Sequence, residues 1–181
     1  MTALRRAVFF DRDDVLNVDR GGYTHRPEDL VWTPGARAAV KAVNEAGRLA
    51  IVVSNQSGVG RGYFDEAALE RFQDAMQAQL AEVGARIDAF YACFHHPDAL
   101  GDYRVADHPD RKPNPGMLLR AAREHGIDLA GSVLIGDRES DMEAARRAGV
   151  RGFLYAGGDL EILVRAAMAE ASDGGPATTR G

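Results

Sequence analysis

The sequence has little cysteine, no excess of basic charge and few long apolar runs, and each shortage excludes a class of protein. Cys93 is the only cysteine among 181 residues, which excludes an intramolecular disulfide and is typical of a reducing compartment. Lys and Arg number 22 against 27 Asp and Glu, so the formal net charge is -5. Because the basic residues are also dispersed, the sequence has no electrostatic footprint for nucleic acid or an anionic membrane.

The apolar runs are too short for a membrane span or a secretion signal. The run at residues 49–53 has five residues, whereas a spanning helix needs about 20. The N-terminal segment also lacks the apolar stretch of a signal peptide. We therefore expect a cytoplasmic protein with no membrane partner, whose 45% hydrophobic content is enough for the core of one domain.

Short apolar runs alternate with amphipathic patterns along the chain. The runs are typical of strands buried on both faces and lie at residues 7–10, 49–53, 89–93, 133–136 and 152–155. The patterns between them predict helices at residues 33–47, 65–84, 114–126 and 139–149. This alternation predicts parallel strands joined by right-handed crossovers. We expect one three-layer, Rossmann-like α/β domain over residues 1–170, followed by a small, polar, disordered tail at 171–181.

An acidic pair follows the first predicted strand. Asp11 and Asp13 are two residues apart, so on extended backbone their side chains face the same side. Two neighbouring carboxylates resist joint ionisation unless a cation lies between them, and Mg²⁺ takes such oxygen ligands together with those of a phosphate. Ligands bind beyond the carboxyl ends of parallel strands, so the pair predicts a catalytic centre. The alternative is a solvated acidic turn.

Three more polar stretches follow predicted strands or begin helices. The stretch "SNQSG" at 54–58 offers a hydroxyl, an amide and turn N–H groups suited to phosphate oxygens. Lys112 precedes one helix, while Asp137 and Asp141 follow the fourth strand one helical turn apart. Separately, these stretches are explained as a polar turn, a basic turn and a helix cap. Together with the acidic pair they indicate one phosphate-handling site.

The four motifs resemble those of the haloacid dehalogenase (HAD) superfamily of phosphohydrolases. The matching positions, in chain order, are Asp11-Arg12-Asp13, Ser54-Asn55-Gln56, Arg111-Lys112-Pro113 and Gly136-Asp137. The stretches "NQSGVGRGYF", "CFHH" and "RKPNPGM" are similar to the branch that contains heptose 1,7-bisphosphate 7-phosphatases and histidinol-phosphatases. The resemblance covers about residues 7 to 155 and implies a HAD-like fold, here without a large cap domain.

The resemblance implies a Mg²⁺-dependent phosphomonoester hydrolase that acts through an aspartyl-phosphate. Asp11 would be the nucleophile, and Asp13 would be the general acid and then the general base. Ser54 and Lys112 would bind the transferring phosphoryl group. Mg²⁺ would be held by Asp11, Asp13 and Asp137.

The favoured substrate is a heptose 1,7-bisphosphate, with Arg111 and Arg138 available for the second phosphate. Further substrate contacts are expected at Asp19, Arg20, Gly21, Gly22, Tyr23, Asn55, Gln56 and Ser57. Histidinol phosphate or another small sugar phosphate is the alternative substrate, and an inactive phosphate-binding regulatory module is the alternative function. We expect a monomer that binds no nucleic acid.

The sequence departs from the family pattern at two places. Asp14 replaces a glycine, which is tolerable if that backbone needs positive φ, because Asp is among the less costly residues there. Family members often hold zinc on a CxH pair followed by CxC, where this chain offers Cys93, His95, His108 and Asp110. A Cys, His, His, Asp zinc site and a metal-free loop both remain open, and His96 has no assigned role.

Overall fold

The structure, a computed structural model, describes residues 4–173 and confirms the predicted α/β fold. All five strands are parallel and lie in the order β3-β2-β1-β4-β5. Their bounds are β1 Ala7–Phe10, β2 Leu49–Asn55, β3 Ala89–Cys93, β4 Val133–Gly136 and β5 Arg151–Leu154. The central position of β1 places the residues that follow it in the middle of the sheet's carboxyl edge.

Within residues 4–173, six α-helices connect or cover these strands. Their bounds are α1 Ala36–Glu45, α2 Ser57–Gly60, α3 Glu66–Ala81, α4 Gly116–His125, α5 Glu139–Ala148 and α6 Leu160–Asp173. The sequence patterns predicted α1, α3, α4 and α5 but not α2 or α6. Because α6 continues to Asp173, residues 171–173 are helical rather than part of a disordered tail, and residues 174–181 lie outside the described range. No helix within residues 4–173 has both the length and the apolarity to cross a membrane.

The core has two layers, one on each face of the sheet. Successive strand residues point to opposite faces, so Phe10 packs with Val40 of α1 and Val164 of α6, whereas Phe9 packs with Leu118 of α4 and Ala145 of α5. All six of these side chains are buried. Burial on both faces explains why the central strands β1 and β4 are apolar instead of alternating.

The strand register brings the chemically important segments to one edge. Phe10, the last residue of β1, is aligned with Val52 of β2 and Ile135 of β4. The polar residues that follow these three strands therefore emerge beside one another. This is the edge at which open parallel α/β sheets bind ligands.

Candidate active site

A cavity of about 380 Å³ lies at the carboxyl edge of the sheet. Its wall contains the four predicted catalytic residues and most of the predicted substrate contacts: Asp11, Asp13, Asp19, Gly21, Gly22, Tyr23, Ser54, Asn55, Gln56, Ser57, Arg111, Lys112 and Arg138. His96, Ser140 and Asp141 also line it. Arg20 is exposed and lines a neighbouring depression instead. Four sequence motifs that are far apart in the chain thus share one cavity.

Lys112 is the buried cation of this cavity. Its Nζ lies 2.9 Å from Asp11 Oδ1 and 2.6 Å from Asp141 Oδ1, and it donates a hydrogen bond of 2.9 Å to the carbonyl oxygen of Val53. Burial lowers the pKa of Lys112, but the charges of Asp11 and Asp141 raise it by more, so the net shift is upward. The ammonium group therefore stays protonated and is fixed between the two carboxylates.

Three carboxylates form a cluster around this lysine. One oxygen each from Asp11, Asp137 and Asp141 lies within 4.8 Å of the others. Burial, followed by the charges of Asp11 and Asp141, raises the pKa of Asp137 to about 6. Asp137 Oδ1 is buried and accepts no hydrogen bond from any residue in the range 4–173. A hard cation with oxygen ligands fits this arrangement, because it would bind the unpaired oxygen and offset the repulsion.

The turn after β4 brings Asp141 into the cluster through a glycine. A Cβ at Gly136 would lie 2.3 Å from the Cβ of Asp141, so no other residue admits so close an approach. Asp141 Oδ2 also accepts a hydrogen bond of 3.1 Å from the backbone N–H of Arg138, at the start of α5. Asp141 therefore caps the helix and binds Lys112 at once.

The Asp13 side chain lies in the cavity wall but outside the carboxylate cluster. Its oxygens accept hydrogen bonds from the Arg12 guanidinium at 2.8–3.0 Å, from Asn17 Nδ2 at 3.1 Å and from Gln56 Nε2 at 2.8 Å. A general acid must reach the leaving oxygen, and such contacts often form only when substrate is bound. The role of Asp13 as a magnesium ligand stays a prediction.

Arg12 was given no role by the sequence, yet it organises the segment that follows Asp11. The residue is 1% exposed, its guanidinium lies 4.6 Å from the ring centroid of Phe72, and Nη2 donates to the carbonyl oxygen of Thr24. Arg12 therefore joins the Asp13 carboxylate to the loop that borders the cavity. A buried charge is normally paired in this way. The position of Arg12 between two aspartates was the sequence feature that could have predicted its pairing.

Asn55 positions the loop that contains Lys112. Its Oδ1 accepts a hydrogen bond of 3.0 Å from the Lys112 backbone N–H, and its Nδ2 donates one of 3.1 Å to the Lys112 carbonyl oxygen. Beside it, Gln56 Nε2 donates to Ser54 Oγ at 2.9 Å as well as to Asp13. The polar stretch after β2 thus orients the lysine and the acidic pair, in addition to lining the cavity.

The segment after the acidic pair turns sharply back over the cavity. Asp14 has φ +60°, which confirms that the position where the family has glycine needs positive φ. Its Oδ1 accepts a hydrogen bond of 2.9 Å from the Asp19 backbone N–H, and Asp19 Oδ1 in turn accepts one of 2.7 Å from the Thr24 hydroxyl. The aspartate side chain therefore stabilises the loop that it enters.

Basic and imidazole groups form the outer part of the cavity. Arg111 donates to the carbonyl oxygen of His95 at 3.0 Å, and Arg138 lies 3.5 Å from Asp137. The sequence left His96 without a role. Its Nδ1 accepts a hydrogen bond of 3.0 Å from the backbone N–H of Asp98. Burial, followed by the charges of Arg111 and Arg61, lowers the pKa of His96. This neutral ring can donate from Nε2.

The four residues considered for zinc are only partly assembled. Cys93, His95 and His108 each offer an atom within 4.8 Å of the others, but the two imidazole rings are stacked, with centroids 3.6 Å apart and an angle of 3° between their planes. Ligands on a tetrahedral zinc ion converge on the metal, which parallel stacked rings do not. The fourth residue, Asp110, is paired with Arg120 at 2.8 Å. The residues as arranged do not fit a closed zinc site.

Comparisons with known proteins agree with this geometry. Residues 110–173 match the HAD-hydrolase-like family model. The D-glycero-beta-D-manno-heptose-1,7-bisphosphate 7-phosphatase of Rhodopseudomonas palustris is 42% identical over 168 residues, which are 92% of each chain. The chain belongs to the heptose-bisphosphate phosphatase family of HAD-like hydrolases. A second member of this phosphatase family, the D-glycero-alpha-D-manno-heptose-1,7-bisphosphate 7-phosphatase of Burkholderia mallei, is 44% identical over 80% of this chain and 76% of its own length.

A solved member of the heptose-bisphosphate phosphatase family shares the fold. The crystal structure of D,D-heptose 1,7-bisphosphate phosphatase from B. bronchiseptica, complexed with magnesium and phosphate, has a TM-score of 0.76 and 34% sequence identity. The similarity covers 97% of this chain and 90% of that chain. The similarity to these phosphatases therefore extends over most of the chain and is not limited to a single motif.

Proposed function

We propose that the protein is a Mg²⁺-dependent phosphatase that hydrolyses the 7-phosphate of a D-glycero-D-manno-heptose 1,7-bisphosphate. One observation supports this most strongly: Lys112, buried between Asp11 and Asp141, lies in the same cavity as Asp13. The names of the relatives then favour the heptose substrate. When bound, Mg²⁺ held by Asp11 and Asp137 would offset the repulsion between the carboxylates and the substrate phosphate.

The first half of the reaction uses Asp11 and Asp13. A carboxylate oxygen of Asp11 attacks phosphorus, the bond between phosphorus and the sugar oxygen breaks, and Asp13 gives its proton to the departing alkoxide. Asp11 Oδ1 already accepts hydrogen bonds from the Arg12 N–H at 2.8 Å and from Lys112. This leaves Oδ2 as the attacking atom.

The second half returns the enzyme to its starting state. Asp13, now ionised, takes a proton from water as the water oxygen attacks phosphorus, and the bond between phosphorus and Asp11 breaks to release phosphate. Lys112 and the Ser54 hydroxyl hold the equatorial oxygens in both steps, where electrostatic stabilisation is typically the largest contribution. The carboxylate of Asp11 is then free for the next substrate.

The cations at the cavity edge favour a bisphosphate over histidinol phosphate. Arg111 and Arg138 both line the cavity, and a guanidinium pairs bidentately with phosphate. Histidinol phosphate has an ammonium group and an imidazole at its distal end, which two arginines would repel. The second phosphate of the heptose would instead offset the positive charge there.

A phosphatase screen tests this proposal directly. Purified protein is assayed against heptose 1,7-bisphosphate (both anomers), histidinol phosphate and p-nitrophenyl phosphate, with Mg²⁺ and with excess chelator. We expect release of the 7-phosphate from the heptose, dependent on Mg²⁺ and fastest among the three substrates. Faster hydrolysis of histidinol phosphate would contradict the substrate assignment. No turnover of any substrate, with phosphate binding retained, would support the inactive binding module.

We propose further that the loop between β3 and α4 is organised without zinc. The stack of His95 on His108, the hydrogen bond of 3.1 Å from the Asp110 N–H to His108 Nδ1, and the ion pair of Asp110 with Arg120 hold its ends together. Elemental analysis of protein purified without a metal-affinity tag should then show only a trace of zinc that dialysis removes. About one equivalent of tightly held zinc would overturn this proposal.

We also propose a cytoplasmic monomer. The buried thiol of Cys93 suits a reducing compartment, and the cavity is lined by residues of this one chain. Analytical ultracentrifugation should give the mass of a single chain at micromolar concentration, and cell fractionation should recover the protein in the cytosolic fraction. A dimer at that concentration would contradict the first statement, and recovery with the envelope would contradict the second.

A further inference from the structure

Tyr23 is held in a backbone conformation that bulky residues rarely adopt. Its φ is +59°, in the left-handed region where a residue with a Cβ is unfavourable. Such strain persists only where the surroundings enforce it, and it is concentrated at functional sites. Because Tyr23 also lines the cavity, the contacts that enforce its position bear on substrate binding.

The loop at Tyr23 is a thin wall between two cavities. Tyr23 and Gly22 line the catalytic cavity and also a second depression of about 300 Å³ on the other side, beside Thr24 and Val31. A Cβ at Gly21 or Gly22 would meet nothing within 4 Å. Arg12 and Asp19 hold the backbone of this wall through Thr24, whereas the Tyr23 ring needs a contact of its own.

Arg61 supplies that contact. Its Nη1 donates a hydrogen bond of 2.8 Å to the Tyr23 hydroxyl, and its guanidinium lies 5.0 Å from the ring centroid of Tyr63, which is itself 5.0 Å from the ring centroid of Tyr23. Gly58 leaves room for this group, because a Cβ there would lie 3.0 Å from Tyr23 Cδ1 and 2.2 Å from Phe64 Cε1. The tyrosine ring is thus fixed at its hydroxyl and along its edge.

Arg61 does not line the catalytic cavity; its side chain reaches the cavity wall through the hydrogen bond to Tyr23, and its charge also acts on His96. We propose that Arg61 is a positioning residue for substrate specificity: it holds the strained Tyr23 ring as the wall against which the sugar of the substrate packs. An aromatic face suits the C–H face of a sugar ring. The inference rests on the proposed sugar-phosphate phosphatase activity and adds a residue that acts on KM rather than on the chemical step.

A double-mutant cycle tests this coupling. Arg61→Met removes the donor, Tyr23→Phe removes only the acceptor hydroxyl, and the double variant removes both. We expect each single variant to raise KM for the best sugar phosphate about tenfold with kcat little changed, and the double variant to be no worse than either single one. Acetyl phosphate, which has no sugar ring, should be hydrolysed by Arg61→Met within about twofold of the wild-type rate.

The controls separate this inference from the proposed function. Tyr103→Phe removes another hydroxyl that bonds to a charged side chain, here Glu66 at 2.8 Å, and should leave KM unchanged. If Arg61→Met is poorly folded by its thermal melt, Arg61→Lys, which keeps a donor, should restore KM toward the wild-type value. Multiplying effects in the double variant, or an equal loss on acetyl phosphate, would overturn the role of Arg61. Absence of phosphatase activity in the wild-type protein would instead overturn the proposed function.

Discussion

Replacement of Asp11 by Asn separates its chemical role from its structural one, because the amide keeps the shape but loses the charge. An amide oxygen attacks phosphorus far less readily than a carboxylate, so we expect the rate to fall by several orders of magnitude. The amide oxygen can still accept the hydrogen bonds from the Arg12 N–H and from Lys112 Nζ that Oδ1 accepts now. The fold should therefore survive the substitution.

The effect on stability follows from the charges around Asp11. At an effective dielectric constant of about 20, a like charge within 4.8 Å costs at least roughly 3.5 kcal/mol and an opposite charge 2.9 Å away contributes roughly 6 kcal/mol. Asp11 meets two such carboxylates, Asp137 and Asp141, and one such cation, Lys112. The repulsions slightly exceed the attraction, so removing the charge should leave the metal-free protein as stable or about 1 kcal/mol more stable.

The assay measures thermal unfolding and phosphate release in the same preparations. In metal-free buffer, Asp11→Asn should melt at the wild-type temperature or about 2–4 °C higher, as about 1 kcal/mol implies for a domain of this size. Added Mg²⁺ should stabilise the wild-type protein more than the variant. Asp65→Asn is the matched control, because Asp65 caps α3 outside the cavity and Asn caps about equally well. More than a tenth of the wild-type rate, or a melting temperature lowered by more than about 5 °C, would refute this reasoning.

Three further substitutions test other parts of the structure. Lys112→Ala should lower kcat by about a hundredfold or more, because it removes a charge that stabilises the transition state. It should also lower the melting temperature, because it leaves Asp141 without its partner. A change in KM alone would make Lys112 a ground-state contact. Arg111→Ala should reduce kcat/KM for the heptose bisphosphate at least about tenfold while p-nitrophenyl phosphate hydrolysis stays nearly unchanged, and equal losses would assign Arg111 to the catalytic phosphate or the fold. Burial, followed by a hydrogen bond to Glu124, raises the pKa of Tyr91 to about 12. This tyrosine's contribution to stability is therefore complete below pH 10 and lost between pH 10 and about 12. In urea unfolding, the free energy of unfolding should fall more at alkaline pH for wild-type protein than for Tyr91→Phe.

The sequence was sufficient to predict the sheet and the edge of the sheet at which the site lies. Strands buried on both faces appear as continuous apolar runs, so β1, β3 and β4 begin and end where the runs predicted. The general rule that ligands bind at the carboxyl ends of parallel strands then placed the motifs together. Helix α6 was not predicted, because its assignment depends on packing against distant elements, as Val164 does in the core.

Side-chain partners were harder to predict, because they depend on contacts between distant parts of the chain. The motif after β4 gave equal support to a helix cap and to a site residue, and the sequence did not show that Asp141 would both cap the helix and pair with Lys112. Asp110 aligns with a family zinc ligand, but α4 brings Arg120 within 2.8 Å of it. In both cases the spacing of the motif identified the aspartate. It could not identify the cation that pairs with that aspartate in the fold.

The charges at the site explain why acidic residues accumulate where the first strand ends. Asp11 and Asp141 share one buried cation, Lys112, whereas Asp137 has only a longer contact of 3.5 Å with Arg138. The three carboxylates therefore exceed the buried cation by two negative charges. Burial of like charges without a counterion is unfavourable, and the raised pKa of Asp137 reflects that cost. A divalent cation would cancel the two excess negative charges of the three carboxylates and Lys112, and so remove the repulsion toward a dianionic phosphate. The same carboxylates that weaken the metal-free fold would therefore hold the metal, and the stabilisation by Mg²⁺ in wild-type protein compared with Asp11→Asn measures that binding.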